Sequence, residues 1–66
     1  MLLKFTNYDG KDIFVNSQSI HAIEEDYNSS NELYTKITYS SGMACFVLET
    51  KESMADIHKK VNEVHA

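Results

Sequence analysis

The chain contains only two glycines, Gly10 and Gly42, and each interrupts an alternating run of apolar residues. The first run, Phe5 to Val15, carries Asp9-Gly10; the second, Ile37 to Leu48, carries Ser41-Gly42. Glycine adopts positive φ without steric cost, so it marks the places where such a chain can reverse tightly. Each run therefore reads as strand, turn, strand. Asp-Gly between two strand patterns further predicts a two-residue turn with positive φ at both central positions. Leu3 and Phe5 fall on one face of the first strand with Lys4 and Thr6 on the other, and Ile13 and Val15 of the return strand lie opposite Asp12 and Phe14. Strands over about residues 2–7 and 11–15 follow.

The remaining segments extend this plan. Asn16 to Ser19 is a polar break suited to a turn or a single helical turn. Ile20 and Ile23 are β-branched and favour a strand over about 20–25. Asp26 to Glu32 has no aliphatic residue and reads as a mobile surface loop. Over 33–39, Leu33, Thr35, Ile37 and Tyr39 alternate with Tyr34, Lys36 and Thr38; over 43–48 both faces are largely apolar, which predicts a central or covered strand. Thr50 reads as a helix N-cap with Glu52 in the first turn, and Met54, Ile57, Val61 and Val64 form one apolar stripe on a helix over about 51–64. The fold class expected is α+β: one domain over 1–66, with four to five short antiparallel strands in hairpin order packed on one C-terminal helix.

Size and charge limit what such a domain can do. A chain this short buries only roughly 60% of its unfolded surface, so association is an expected source of added stability, and a homodimer is one form of it. The single cysteine, Cys45, cannot form an internal disulfide. Lys4, Thr6 and Asn7 break the apolar start, leaving no stretch of signal-peptide or membrane-span length and pointing to a cytoplasmic location without membrane insertion. Ten acidic residues against six basic ones give a net charge of −4, and every basic residue is lysine. Without the bidentate arginine fork or a basic stripe, direct nucleic-acid binding is disfavoured, and a charged partner is expected to be a protein with a basic surface.

No reactive constellation stands out. His58 and His65 are too far apart along a helix to grip one metal, and His21 is a lone strand histidine, so neither a metal nor a cofactor is expected. Cys45, between Ala44 and Phe46, reads as a small core hydrophobe with a neutral thiol. A domain of this size is also expected to lack a substrate hollow of several hundred Å3. Binding signals are better represented. Glu24, Glu25 and Asp26, together with Asp9, Asp12 and Glu32, could form an acidic surface that steers a basic partner, although strand alternation sends adjacent carboxylates to opposite faces. Tyr8, Tyr27 and Tyr34 are the candidate aromatic anchors.

Three segments also carry a family likeness: Phe5-Thr6-Asn7-Tyr8-Asp9-Gly10-Lys11 with Val15-Asn16, Ile20-His21-Ala22-Ile23-Glu24-Glu25, and Ile37-Thr38-Tyr39-Ser40-Ser41-Gly42 leading to Val47-Leu48-Glu49-Thr50. In these the chain resembles the FlbD/SwrD family of small flagellar and swarming-motility proteins. The resemblance implies a Gly-turned hairpin, an Ile-x-x-Ile-Glu strand, a second Gly turn, a short C-terminal helix and a motility-linked role. The expectation is a small non-catalytic acidic protein-binding module that regulates a larger machine. The alternatives are a phage or mobile-element inhibitor of the anti-CRISPR type that covers a basic nucleic-acid-binding surface, and a small metal or cysteine enzyme using His21, His58 or Cys45.

Overall fold

A computed structural model describes residues 1–65, with side chains through Glu63. The elements are β1 (Leu2–Thr6), β2 (Asp12–Asn16), a 3-10 turn (Ser17–Ser19), β3 (Ile20–Tyr27), β4 (Leu33–Ser41), β5 (Ala44–Thr50) and α1 (Met54–His65). β1 and β2 form a two-stranded sheet, while β3, β4 and β5 form a three-stranded one in that order, all antiparallel. The α+β hairpin architecture legible in the sequence is therefore the one observed.

The turns are built differently from the expectation. Gly10 has φ +84 but Asp9 does not share the left-handed region, so the first turn is not a two-residue Asp-Gly turn. Asn7 N–H instead donates to Lys11 O at 2.8 Å, while Asn7 Oδ1 accepts from the amides of Asp9 at 3.0 Å and Lys11 at 2.9 Å. The β3–β4 connection repeats this construction. Asn28 N–H donates to Glu32 O, and Asn28 Oδ1 accepts from the amides of Ser30 and Glu32, each at 2.9 Å. Asn31 holds the position equivalent to Gly10, with φ 61, a conformation asparagine tolerates. The segment expected to be a loose loop from Asp26 is thus strand through Tyr27, followed by an Asn-braced turn. At the third turn, Gly42 (φ +63) occupies the first of two central positions, where a type II′ turn requires it.

One core fills the space between the sheets. Leu3, Phe5 and Val15 descend from the hairpin, Ile37 and Leu48 rise from the larger sheet, and Ile57 enters from α1. Val61 packs at its margin, Met54 remains more than a third exposed at 38%, and Val64 lies outside the described side chains.

The last strand and the helix start depart from the sequence reading. β5 is an edge strand, with Cys45, Phe46 and Val47 exposed, because β4 takes the central place. Thr50 is the last residue of β5 and is fully buried; it caps no helix. Ser53 does so, its Oγ accepting from Asp56 N–H at 3.0 Å, and Asp56 rather than Glu52 supplies the acidic residue of the first turn.

Thr50 and its neighbours serve the outer edge of β1. Thr50 Oγ1 donates to Thr6 O at 2.6 Å, Thr6 N–H donates to Glu52 Oε2 at 3.2 Å, and Lys60 Nζ donates to Lys4 O at 2.7 Å. Lys60 also pairs with Glu52 Oε1 at 2.7 Å and sits 4.5 Å from the Phe5 ring centroid. Side chains thereby satisfy backbone groups that a neighbouring strand would otherwise have to meet. Thr50→Val keeps the shape and removes the donor to Thr6 O, and is expected to cost about 1–3 kcal/mol. Urea unfolding checks this: the midpoint should fall with an unchanged denaturant slope.

Candidate functional site

The residues singled out from the sequence separate into distinct settings. Around the first hairpin turn, Tyr8 meets Tyr34 edge to face at 5.9 Å and 83°. The Tyr8 hydroxyl accepts from Asn28 Nδ2 at 2.7 Å, Asn28 Nδ2 also lies 3.3 Å from Glu32 Oε1, and Lys51 Nζ stands 4.9 Å from the Tyr8 ring centroid. Tyr8 N–H donates to Glu49 O at 2.9 Å, which anchors the turn on the end of β5. Tyr34, expected as an exposed anchor, is buried beneath Tyr8, and Tyr8 is half-buried. Both act in packing, as a clasp between the two sheets. Tyr27 does remain open, at 62% exposure.

Cross-strand charge divides the acidic run on β3. Glu24 lies opposite Lys36, and Asp26 opposite Tyr34, whereas Glu25 pairs with Thr35 on the other face. Lys36 Nζ donates to Asp26 Oδ2 at 2.9 Å. That bond, helped by the Tyr27 amide, holds the Asp26 carboxyl below its usual range. The three carboxylates therefore do not converge, and one already has a cation. Asp12 takes a hydrogen bond from Thr6 Oγ1 at 3.3 Å with Lys4 Nζ 3.8 Å away, and Asp9 is exposed at the hairpin turn.

Among the described residues no group of three or more His, Cys, Asp or Glu side chains is placed to hold a metal. His21 is exposed near the register irregularity of β3, His58 is exposed on α1, and the side chain of His65 lies outside the described residues. Cys45 is exposed on β5, which corrects its reading as a core residue. Among the described residues, no helix is long and apolar enough to cross a membrane.

What the sequence reading passed over is a set of apolar side chains left in solvent around β2 and β5. Phe14 is 61% exposed, Val47 59%, and Phe46 47% even though it stacks on Tyr39 at 5.6 Å with 28° between the rings. Two open depressions lie here. One of about 410 Å3 runs from the Asn7–Asp9 turn past Ile13 to Val47–Glu49; the other, about 390 Å3, lies between Phe14–Asn16 and Ser40–Gly42. Tyr39 lines both. The expectation that so small a domain has no hollow of this volume is thereby corrected: the hairpin leaves the distal part of β4 and β5 uncovered. The signal that could have found this surface is Phe14, an aromatic on the polar side of β2 where alternation calls for a hydrophilic residue.

Comparison of the chain with protein-family models, with curated proteins and with solved structures finds no match.

Proposed function

We propose that the chain is a small, non-catalytic, acidic protein-binding module of the cytoplasm that regulates a larger assembly through a partner with a basic surface. The observation that carries this reading is the exposure of the aromatics Phe14 on β2 and Phe46 on β5, with Val47 on the opposite face of β5, around two open depressions. A domain with so small a core gains by burying such residues, and exposed aromatics bordered by polar groups are the usual composition of a docking surface. A motility-linked role follows from the resemblance to the FlbD/SwrD family and is part of the proposal, as is self-association into a homodimer, which a monomer mass at micromolar concentration would exclude.

The test begins with capture of the partner by crosslinking in the native host and mapping of the footprint by hydrogen exchange. Protection on β2 and β5 is expected; a footprint confined to α1 would reject this surface. The electrostatic part is tested separately. Reversing the charges of Glu24, Glu25 and Asp26 together is expected to slow association with a basic partner by about tenfold at low salt, an effect that fades as salt is added. An association rate that does not change removes steering by β3 from the proposal.

A further inference from the structure

We propose that the free edge of β2 accepts an extended peptide segment of the partner as an added strand, one with alternating apolar side chains and a lysine or arginine at the end nearest the Asn7–Lys11 turn. This rests on the protein-binding reading and adds to it the mode of binding and the chemistry of the bound segment.

The β1–β2 ladder fixes which backbone groups are available. Asn7 N–H donates to Lys11 O and Ser17 N–H to Met1 O, one pair at each end of the register. The bonded pairs between them are then Phe5 with Ile13 and Leu3 with Val15, since such pairs alternate along an antiparallel ladder. The N–H and C=O groups of Asp12 and Phe14 consequently point away from β1. Among the described residues they meet no other strand and no side-chain donor or acceptor. The opposite edge of this small sheet is covered by Thr50, Glu52 and Lys60, so the fold closes one edge and leaves its counterpart open.

The surroundings of the open edge suit one more strand. One depression meets β2 at Ile13 and the other at Phe14–Asn16, with Tyr39 common to both and Phe46 stacked upon it. A strand laid about 4.8 Å from β2 would send alternate side chains onto these rings. Charge then selects the occupant. The depression at the hairpin turn is lined by Asp9 and Glu49, and among the described residues neither depression is lined by a lysine. A cationic end on the bound segment would complement that acidic mouth. A second copy of this chain offers Asp-Ile-Phe-Val-Asn in β2, Ile-His-Ala-Ile-Glu-Glu-Asp-Tyr in β3 or Ala-Cys-Phe-Val-Leu-Glu-Thr in β5 at its edge strands, and none contains a lysine or arginine.

The probe is a short synthetic peptide alternating valine with threonine and ending in lysines, titrated into the isotope-labelled full chain and followed by NMR. Saturable shifts and slowed hydrogen exchange are expected at the amides of Asp12 and Phe14. A matched peptide ending in glutamates, and one N-methylated at alternate backbone amides, should each bind at least about tenfold more weakly. Phe14→Pro removes the outward N–H without touching a bond to β1, and should abolish the shifts while the rest of the spectrum is retained. Phe46→Thr keeps the β2 backbone intact and removes part of the aromatic floor, and should weaken binding about tenfold. Equal binding of the N-methylated peptide, shifts confined to β3, or no binding of the lysine-ended peptide overturns the proposal. Self-association of the free chain that Phe14→Pro abolishes would also overturn it, assigning the edge to a second copy. The protein-binding reading fails on a different result, the absence of any partner crosslinked to the unaltered chain.

Discussion

Ile57→Asp is expected to abolish the folded state, with a far-ultraviolet spectrum of an unfolded chain and collapsed amide dispersion. Ile57 is fully buried and is the only residue of α1 in the buried core among those described. The substitution removes the apolar contact that holds the helix to the sheets and places a carboxylate among Leu3, Phe5, Val15, Ile37 and Leu48, while the nearby Lys60 ammonium is already held by Glu52 Oε1 and Lys4 O. An unpaired buried charge costs several kcal/mol, added to the lost burial of the isoleucine. A single core in a domain below about 70–80 residues rarely supplies more than about 3–5 kcal/mol. The loss therefore exceeds the whole reserve, and a twelve-residue helix has little stability once detached. Cooperative unfolding of Ile57→Asp at a urea midpoint near that of the parent would show that α1 is dispensable.

Phe5→Ala should produce the next largest loss, about 3–5 kcal/mol, by leaving a cavity in the hairpin half of the core. Phe5 is fully buried, pairs across the ladder with Ile13, and has the Lys60 ammonium 4.5 Å from its ring centroid. Phe5→Leu separates the contributions: it restores much of the volume but not the aromatic face, so it should recover most of the stability and leave only the cation–π part missing, about 0.5–1 kcal/mol. Chemical denaturation of the parent and Phe5→Leu chains gives the smaller difference, and the Phe5→Ala chain should show little or no folding transition. A Phe5→Ala loss below about 1 kcal/mol would mean that the hairpin is not seated on the larger sheet.

The inward faces were legible because alternation reports them directly. Leu3 and Phe5 are buried and Lys4 and Thr6 exposed, and Ile37 is buried between the half-buried Lys36 and Thr38, as their order in the chain implies. Strand position within a sheet is a different property, fixed by which edges other elements cover. The apolar residues of β5 suggested a covered strand, yet Phe46 remains exposed on the core side of the sheet beyond the buried cluster, and Val47 is exposed on the opposite face. Thr50 looked like a cap because threonine before an acidic residue is a capping pattern; its hydroxyl is instead drawn to Thr6 O, and Ser53 three residues later caps the helix. Tyr34 illustrates the same limit at the candidate site. Whether a tyrosine is an anchor or a packing residue depends on a distant partner, here Tyr8, and local sequence carries no trace of that pairing. The two Asn-braced turns share a sequence sign: Asn7 and Asn28 each stand four residues before the amide from which their side chain accepts, one spacing used twice.

The side-chain bonds on the outer edge of β1 also set a timetable for synthesis. Lys4 and Thr6 are made well before their partners Lys60 and Thr50, which lie 56 and 44 positions downstream. A ribosome-bound nascent chain can close the Asn7–Lys11 turn early, but the β1 edge of the resulting hairpin has no cover until Thr50, Glu52 and Lys60 have left the exit tunnel. Contacts so distant in sequence form late and slow the final step of folding. The N-terminal strands thus spend translation as adhesive, unsheltered ribbon, the interval in which a chaperone would have most to do.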